Sequence, residues 1–184
     1  MGTEIEVKVL NIDLDEVENK LLDMGAELVA KEYQINTVID SKDKYIQKKL
    51  NSYLRIRETT DLIKNKKDIN LTLKKNVGQE EVRKNIEISV EIDDKDAMLN
   101  ILKDLGYNVI EEGFKERKTY IYDGIQFDLD RWDQKTYPYP YMEIEVKDQD
   151  DLQRAIALLN ISRDNISTKS ITELKEELER SRTS

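Results

Sequence analysis

The sequence predicts an α+β fold, a closed antiparallel β-barrel of about eight strands with flanking helices, whose charged side chains share one interior. Three observations predict it. At least seven segments alternate charged or polar residues with apolar ones at period two, as strands with two unlike faces do. Apolar stripes at helical spacing, around 14–22, 98–105 and 152–159, supply cover for the greasy strand faces. The run Glu-Ile-Glu-Val-Lys occurs at 4–8 and again at 143–147. A barrel sorts the two faces of each strand into inside and outside. With helices over the apolar faces, the charged faces line the lumen.

Residues 3–10 read as the first strand. Asn11 or Asp13 caps a helix over roughly 13–24, with Leu14, Val17, Leu21 and Leu22 on one stripe and Gly25 as its stop. Residues 28–40 alternate as a long strand, and the lysine-rich stretch Ser41 to Leu50 reads as a solvated loop or short turn. Tyr53 to Arg57 is a strand with Arg55 and Arg57 on one face. Thr59 to Asp68 is a charged hairpin connection, Ile69 to Lys75 a strand, and Asn76 to Glu80 a turn. Residues 81–92 give the longest alternation, with Arg83, Asn85, Glu87, Ser89 and Glu91 on one face.

Asp94 caps a second helix reaching about Leu105, with Gly106 as its stop. Residues 107–122 hold one or two strands, with Lys115, Arg117 and Thr119 in phase. Asp123-Gly124 signals a tight hairpin into a strand over 125–132. Lys135 to Tyr141, with two prolines, is a stiff loop before the second Glu-Ile-Glu-Val-Lys strand. Helices follow at about 150–160 and 170–181. Strand-then-helix at 4–24, 87–105 and 143–159 hints at related halves.

Composition bounds the chemistry. The 184 residues suffice for a single domain, expected over 1–184. Charged residues make up 38%, well above the usual quarter, so charge is expected inside as well as outside. A net charge of −9 argues against a nucleic-acid partner. With no cysteine and no histidine, thiol and imidazole chemistry are excluded, and a metal site has oxygen ligands, which points to Mg²⁺, Mn²⁺ or Ca²⁺. No signal peptide and no bilayer-length apolar run is present, so the expectation is a cytoplasmic protein without a membrane partner.

Buried charge is costly unless it is paired or bound. In-phase acids are Glu4, Glu6, Glu87, Glu91, Asp128, Asp130, Glu143 and Glu145; in-phase bases are Lys8, Arg55, Arg57, Lys74, Arg83, Lys115, Arg117 and Lys147. Arg55, Arg57, Lys115 and Arg117 suit phosphate oxygens. Glu4, Glu6, Glu143 and Glu145 suit hard divalent cations. A tunnel with both suits a metal-bound polyphosphate. The bland alternative for each, a solvated strand face, loses ground once the repeated motif is considered. Lys147 and Arg83 read as structural ion-pair members. Trp132 and the tyrosines at 137, 139 and 141 read as a packed rim.

Glu4-x-Glu6-x-Lys8 resembles the opening signature of the CYTH family, the triphosphate tunnel metalloenzymes. Leu54-Arg55-Ile56-Arg57, Leu71-Thr72-Leu73-Lys74, Lys115-x-Arg117, Gly124 to Asp130 and Glu143-Ile144-Glu145 resemble later family motifs in family order. Thr168-Lys169-Ser170 resembles the start of a C-terminal helix that brings a lysine to the tunnel mouth. Two features depart from the family. Asn85 and Ser89 alternate with Arg83, Glu87 and Glu91 on the fifth strand, and Tyr137 to Tyr141 replaces the usual turn before the late Glu-x-Glu.

The resemblance implies a Mg²⁺- or Mn²⁺-dependent enzyme acting on a small-molecule triphosphate. Glu4, Glu6, Glu143 and Glu145, with Asp130 and Glu87, would hold one or two ions. Lys8, Arg55, Arg57, Lys74, Lys115, Arg117 and Lys169 would hold phosphates. Glu4, Glu6 and Lys8 would be catalytic, with Lys8 a candidate proton acceptor. Water as nucleophile gives hydrolysis of inorganic triphosphate, thiamine triphosphate or a nucleoside triphosphate. The ribose 3′-hydroxyl of ATP gives cyclic AMP, as in class IV adenylate cyclases. Hydrolysis is preferred because no adenine pocket is visible in the sequence. A polyphosphate or nucleotide sensor without turnover is a third reading, and the resemblance allows a homodimer.

Overall fold

The computed structural model describes residues 2–79 and 82–183, of which residues 2–4, 79, 182 and 183 are described by backbone alone. In chain order the elements are β1 (Gly2–Val9), α1 (Leu14–Asp23), β2 (Glu27–Asp40), α2 (Tyr45–Leu50), β3 (Ser52–Asp61), β4 (Lys66–Gln79), β5 (Arg83–Glu91) and α3 (Lys95–Asp104). Then come β6 (Val109–Tyr122), β7 (Ile125–Trp132), β8 (Tyr141–Val146), α4 (Gln149–Leu159), β9 (Ile166–Ser167) and α5 (Ile171–Thr183).

The sheet closes. Around the barrel the strands run β1, β5, β4, β3, β2, β6, β7, β8 and back to β1, with β9 added beside the far end of β1. The pairings are antiparallel, so residues directly opposite share a face. Arg57 therefore faces the same side as Asn36 and Asn70, and Arg117 the same side as Asp130. Closure leaves no free edge along the eight strands.

Local chemistry sets the helix ends. Asp13 accepts from Asp15 N (2.9 Å) and Glu16 N (3.1 Å), and Asp94 accepts from Ala97 N (2.9 Å), satisfying amides that the first turn leaves unpaired. Gly25 and Gly106 follow α1 and α3 at φ +85° and +93°, a conformation that glycine adopts without a Cβ penalty. Asp123 and Gly124 both have positive φ, as a two-residue hairpin requires.

The apolar strand faces point outward, as expected. Val7, Val9, Phe127, Leu129, Met142 and Ile144 pack under α1 and α4, against Leu14, Val17, Leu21, Leu152, Ala155 and Leu159. Ile39 and Ile56, with Leu54, Ile69 and Leu71, pack under Leu102, Met98 and Leu99 of α3. At one end of the barrel, Leu174, Ile171 and Leu178 of α5 cover Tyr137, Tyr141 and Trp132. The coat is incomplete: Ile88 (42%) and Val90 (55%) on β5 stay exposed.

Three expectations need correction, and one strand was not expected at all. The stretch Ser41 to Leu50 contains a short helix, because Asp40 accepts from Ile46 N (2.9 Å) and Gln47 N (3.0 Å) and Ile46 is buried. The connection between β3 and β4 is only residues 62–65, since pairing continues to Asp61↔Lys66. Residues 76–79 lie in β4 rather than a turn, with a register shift between Asn76 and Gly78; residue 80 lies outside the described residues. Lastly, β9 was unforeseen. Among the described residues, no helix is long and apolar enough to cross a membrane.

Candidate active site

The lumen has two unlike walls. On β6, β7, β8 and β1, bases and acids neutralise one another. Arg117 reaches Asp130 through Nε (2.7 Å) and Nη2 (2.6 Å), Asp128 through Nη1 (2.7 Å), and Glu143 through Nη2 (2.5 Å). Lys115 Nζ lies 3.0 Å from Asp130 Oδ2, and Lys8 Nζ lies 2.9 Å from Glu143 Oε1. These groups are nearly all buried, Asp130 completely. Grouping acids and bases by sequence did not reveal this pairing, because it forms across strands.

Electrostatics follow the geometry. Burial disfavours the charge on Glu143, yet Lys8 and then Arg117 outweigh it and hold the carboxyl well below its usual range. Burial likewise opposes the charge on Lys8, but Glu143 and Glu6 raise its pKa. Lys8 is thus held as a cation, which argues against the proton-acceptor role. Lys115 behaves oppositely. Burial, with Arg117 and Arg57 nearby, outweighs the attraction of Asp130 and lowers it to about 7. Its proton is therefore labile near neutral pH.

The opposite wall, β2 to β5, is different. Arg55 and Arg57 project from β3, and among the described residues neither forms an ion pair. Arg57 Nε donates to Asn36 Oδ1 (2.8 Å), a neutral acceptor. Burial, with Arg55 and Arg117 close by, lowers the Arg57 pKa to about 10. Arg55 Nε and Asn36 Nδ2 are buried donors without an acceptor. Both arginines line a cavity of about 210 Å³ whose lining side chains are all polar or charged, including Thr72, Glu87 and Ser89. Thr72 and Ser89 share a hydroxyl hydrogen bond of 2.8 Å. Half-buried cations without an ion pair and unmet buried donors call for an anion. A larger depression of about 370 Å³, by Ser41, Asp43 and Leu105, lies outside the barrel and has no basic lining residue.

Lys74 bridges the walls, 3.1 Å from Glu87 and 3.5 Å from Glu6. Glu87 lines the cavity, whereas Glu91 is exposed at the end of β5, so Glu87 is the inward carboxylate of that pair. Glu6 also accepts from Asn85 Nδ2 (3.0 Å) and lies directly across from Glu145. The Glu4 side chain lies outside the described residues; its backbone pairs with Asn85. Among the described residues, no three carboxylates already converge on one point. The donor set nonetheless fits a hard divalent cation: Glu6, Glu143 and Glu145 come from adjacent strands and offer only carboxylate oxygen. Asp130 is engaged by Lys115 and Arg117, as Glu143 is by Lys8 and Arg117.

Lys169 does not reach the lumen. It is half exposed and pairs with Glu177 of α5 at 2.6 Å. Arg83 is structural, as expected: it binds Glu173 (3.0 Å) and Thr168 O (3.2 Å), tying β5 to the start of α5. The aromatic rim is packed at Trp132, Tyr137 and Tyr141, whereas Tyr139 is exposed. Trp132 Nε1 donates to Tyr141 OH (2.8 Å), and Lys8 and Lys115 sit over the Tyr141 and Trp132 rings. Gln34 and Asn36 were missed as lumen residues. Their period-two phase with Glu32 was the available signal.

A family model described as CYTH domain matches residues 2–172. A curated protein of Methanocaldococcus jannaschii named "Putative adenylate cyclase MJ0240" is 26% identical over 178 residues, covering 94% of this chain and 98% of its own. Among solved structures, the PH1012 protein of Pyrococcus horikoshii superposes with a TM-score of 0.76 at 20% identity, covering 93% of this chain and 98% of that one. HpAC1 from Hippeastrum, described as a "putative adenylyl cyclase" that reveals a dominant triphosphatase activity, has a TM-score of 0.65 at 18% identity, covering 92% of this chain and 91% of that one.

Proposed function

The chain belongs to the CYTH domain family, and from that premise we propose that it is a divalent-metal-dependent triphosphatase acting inside its barrel. The observation that carries this reading is the pair Arg55 and Arg57, both half-buried and on one face of β3, with no ion-pair partner among the described residues, on a wholly polar cavity.

In this reading Arg55 and Arg57 grip the phosphate chain, using the bidentate geometry of guanidinium. Lys74, Lys8 and Arg117 add positive charge around it and favour the charge spread of phosphoryl transfer. Glu6, Glu143 and Glu145, with Glu4 from the same strand face, would hold Mg²⁺ or Mn²⁺. Such an ion neutralises phosphate charge and polarises the phosphoanhydride. Lys115 can take up or release a proton near neutral pH. The tight Arg117 network holds these groups in place, so little reorganisation accompanies reaction.

Hydrolysis is favoured over cyclisation because the cavity beside the arginines offers hydroxyls, amides and charges rather than a stacking face for a base. HpAC1 supports the same choice, since the fold hosts triphosphatase chemistry in a protein also called a cyclase. Phosphate release from inorganic triphosphate, thiamine triphosphate and ATP, measured side by side with cyclic AMP scored from ATP, tests this. Cyclic AMP as the main ATP product would replace the hydrolase reading. Tight binding without turnover under either metal would replace it with a sensor.

A further inference from the structure

Beyond the arginines, the same cavity changes sign. Glu32 on β2 and Asp68 on β4 line it there, with Thr59 of β3 between them. Thr59 is the direct cross-strand neighbour of both Gln34 and Asp68, and Glu32 lies two residues from Gln34 on the same face of β2. Among the described residues, neither Glu32 nor Asp68 forms an ion pair.

The neighbouring amides point to the missing ligand. Gln34 Nε2 donates to Glu32 Oε2 (2.5 Å), and Asn70 Nδ2 donates to Asp68 Oδ1 (2.8 Å). Turning either amide over would set oxygen against carboxylate, so electrostatics select this orientation. The consequence for Gln34, which is 1% exposed, is a buried Oε1 with no donor. An unmet buried acceptor costs about 1–3 kcal/mol. Two unpaired carboxylates and an unmet amide oxygen therefore share one end of a cavity whose middle holds two unpaired arginines.

We propose that this end of the lumen binds a hydrated divalent cation, Mg²⁺ or Mn²⁺, at a site on β2, β3 and β4 separate from the β1 and β8 carboxylates. Oxygen is the only ligand chemistry offered: Glu32, Asp68, Thr59 and the amide oxygen of Gln34. Mg²⁺ commonly keeps several waters and binds through one or two carboxylates, which fits two acids set two strands apart. An organic ammonium fits less well, because the cavity lining has no aromatic ring. Beside Arg55 and Arg57, the ion balances the outer end of an anion that the arginines hold. Binding of the metal alone does not depend on the triphosphatase reading.

The test is Mn²⁺ binding to the whole chain without phosphate, counted by loss of the free-ion electron paramagnetic resonance signal. Expected is the loss of one bound Mn²⁺ per chain in the double variant Glu32→Gln, Asp68→Asn, and its retention in Glu145→Gln. In the wild-type protein, Mn²⁺ should also broaden the Gln34 side-chain amide resonance, and this decides the matter should the double variant not fold. An unchanged Mn²⁺ count in a folded double variant, or a sharp Gln34 amide at saturating Mn²⁺, overturns the proposal. Absence of triphosphatase activity would leave both readouts intact, so the two readings fail separately.

Discussion

Glu6 on β1 stands directly across from Glu145 on β8, two carboxylates on one lumen face. Like charges directly opposite destabilise a strand pair. Asn85 and Lys74 hold Glu6, and Gln126 Nε2 donates to Glu145 (3.1 Å); a cation between the strands would relieve the remaining repulsion. Mg²⁺ or Mn²⁺ should therefore raise the melting temperature, with about 2.7 kcal/mol of stabilisation at one hundred times the dissociation constant. Glu145→Gln should shrink that rise. Thermal scans at graded metal concentrations check this, and an unchanged rise in the variant would contradict the placement.

Arg57 is charged, half-buried and without an ion-pair partner among the described residues. Replacing it with Met removes an uncompensated charge, so the empty protein should be as stable as wild type or more so. The same change should weaken inorganic triphosphate binding by about 1.5–3 kcal/mol, the usual value of a charged hydrogen-bond donor, or roughly 10- to 150-fold. Titration calorimetry and chemical denaturation together check both signs. A marked loss of stability with unchanged affinity would make Arg57 a structural residue.

Arg117 should behave in the reverse way. Its guanidinium holds Asp128, Asp130 and Glu143, all buried or nearly so. Arg117→Met leaves those carboxylates uncompensated and should cost about 3–5 kcal/mol. Arg154→Met removes pairs with Asp123 and Asp151 at the surface and should cost at most about 1 kcal/mol. Urea unfolding of the two variants gives the comparison.

The pH dependence has a definite sign at each end. Glu143 titrates well below its ordinary value in the folded chain. Its contribution is full above the unfolded carboxylate range and disappears as pH falls through the folded value. Lys115 is lowered from 10.5 to about 7, so between those values the unfolded chain binds the extra proton and stability should rise with pH. Unfolding free energies from pH 3 to 10 check this. Lys115→Met should flatten the alkaline rise and leave the acid limb intact.

Much of this was legible in the sequence because period-two alternation reports which residues share a face. Glu6, Lys8, Arg57, Arg117 and Glu145 fall on the lumen side that alternation assigns them, and Asp13, Asp94 and Gly106 mark helix ends as their backbone chemistry requires. Alternation does not report register. That Arg117 is neutralised by β7 and β8 while Arg57 stands between the neutral Asn36 and Asn70 depends on which strands lie opposite, and neighbouring residues in sequence carry no trace of it. Lys169 lay outside the alternating segments, and the local partner Glu177 captured it. The helix Tyr45–Leu50 was hidden because its cap comes from Asp40, several residues upstream.

The most direct measurement is phosphate release from inorganic triphosphate by the wild-type chain and by Arg57→Met, each with Mn²⁺, with Mg²⁺ and with chelator. Expected are release with metal, none with chelator, and a fall of about 10-fold or more in kcat/KM for a variant that remains folded, about 1.4 kcal/mol of transition-state stabilisation. Equal activity in wild type and Arg57→Met, or no release by the wild type with either metal, would contradict the triphosphatase reading.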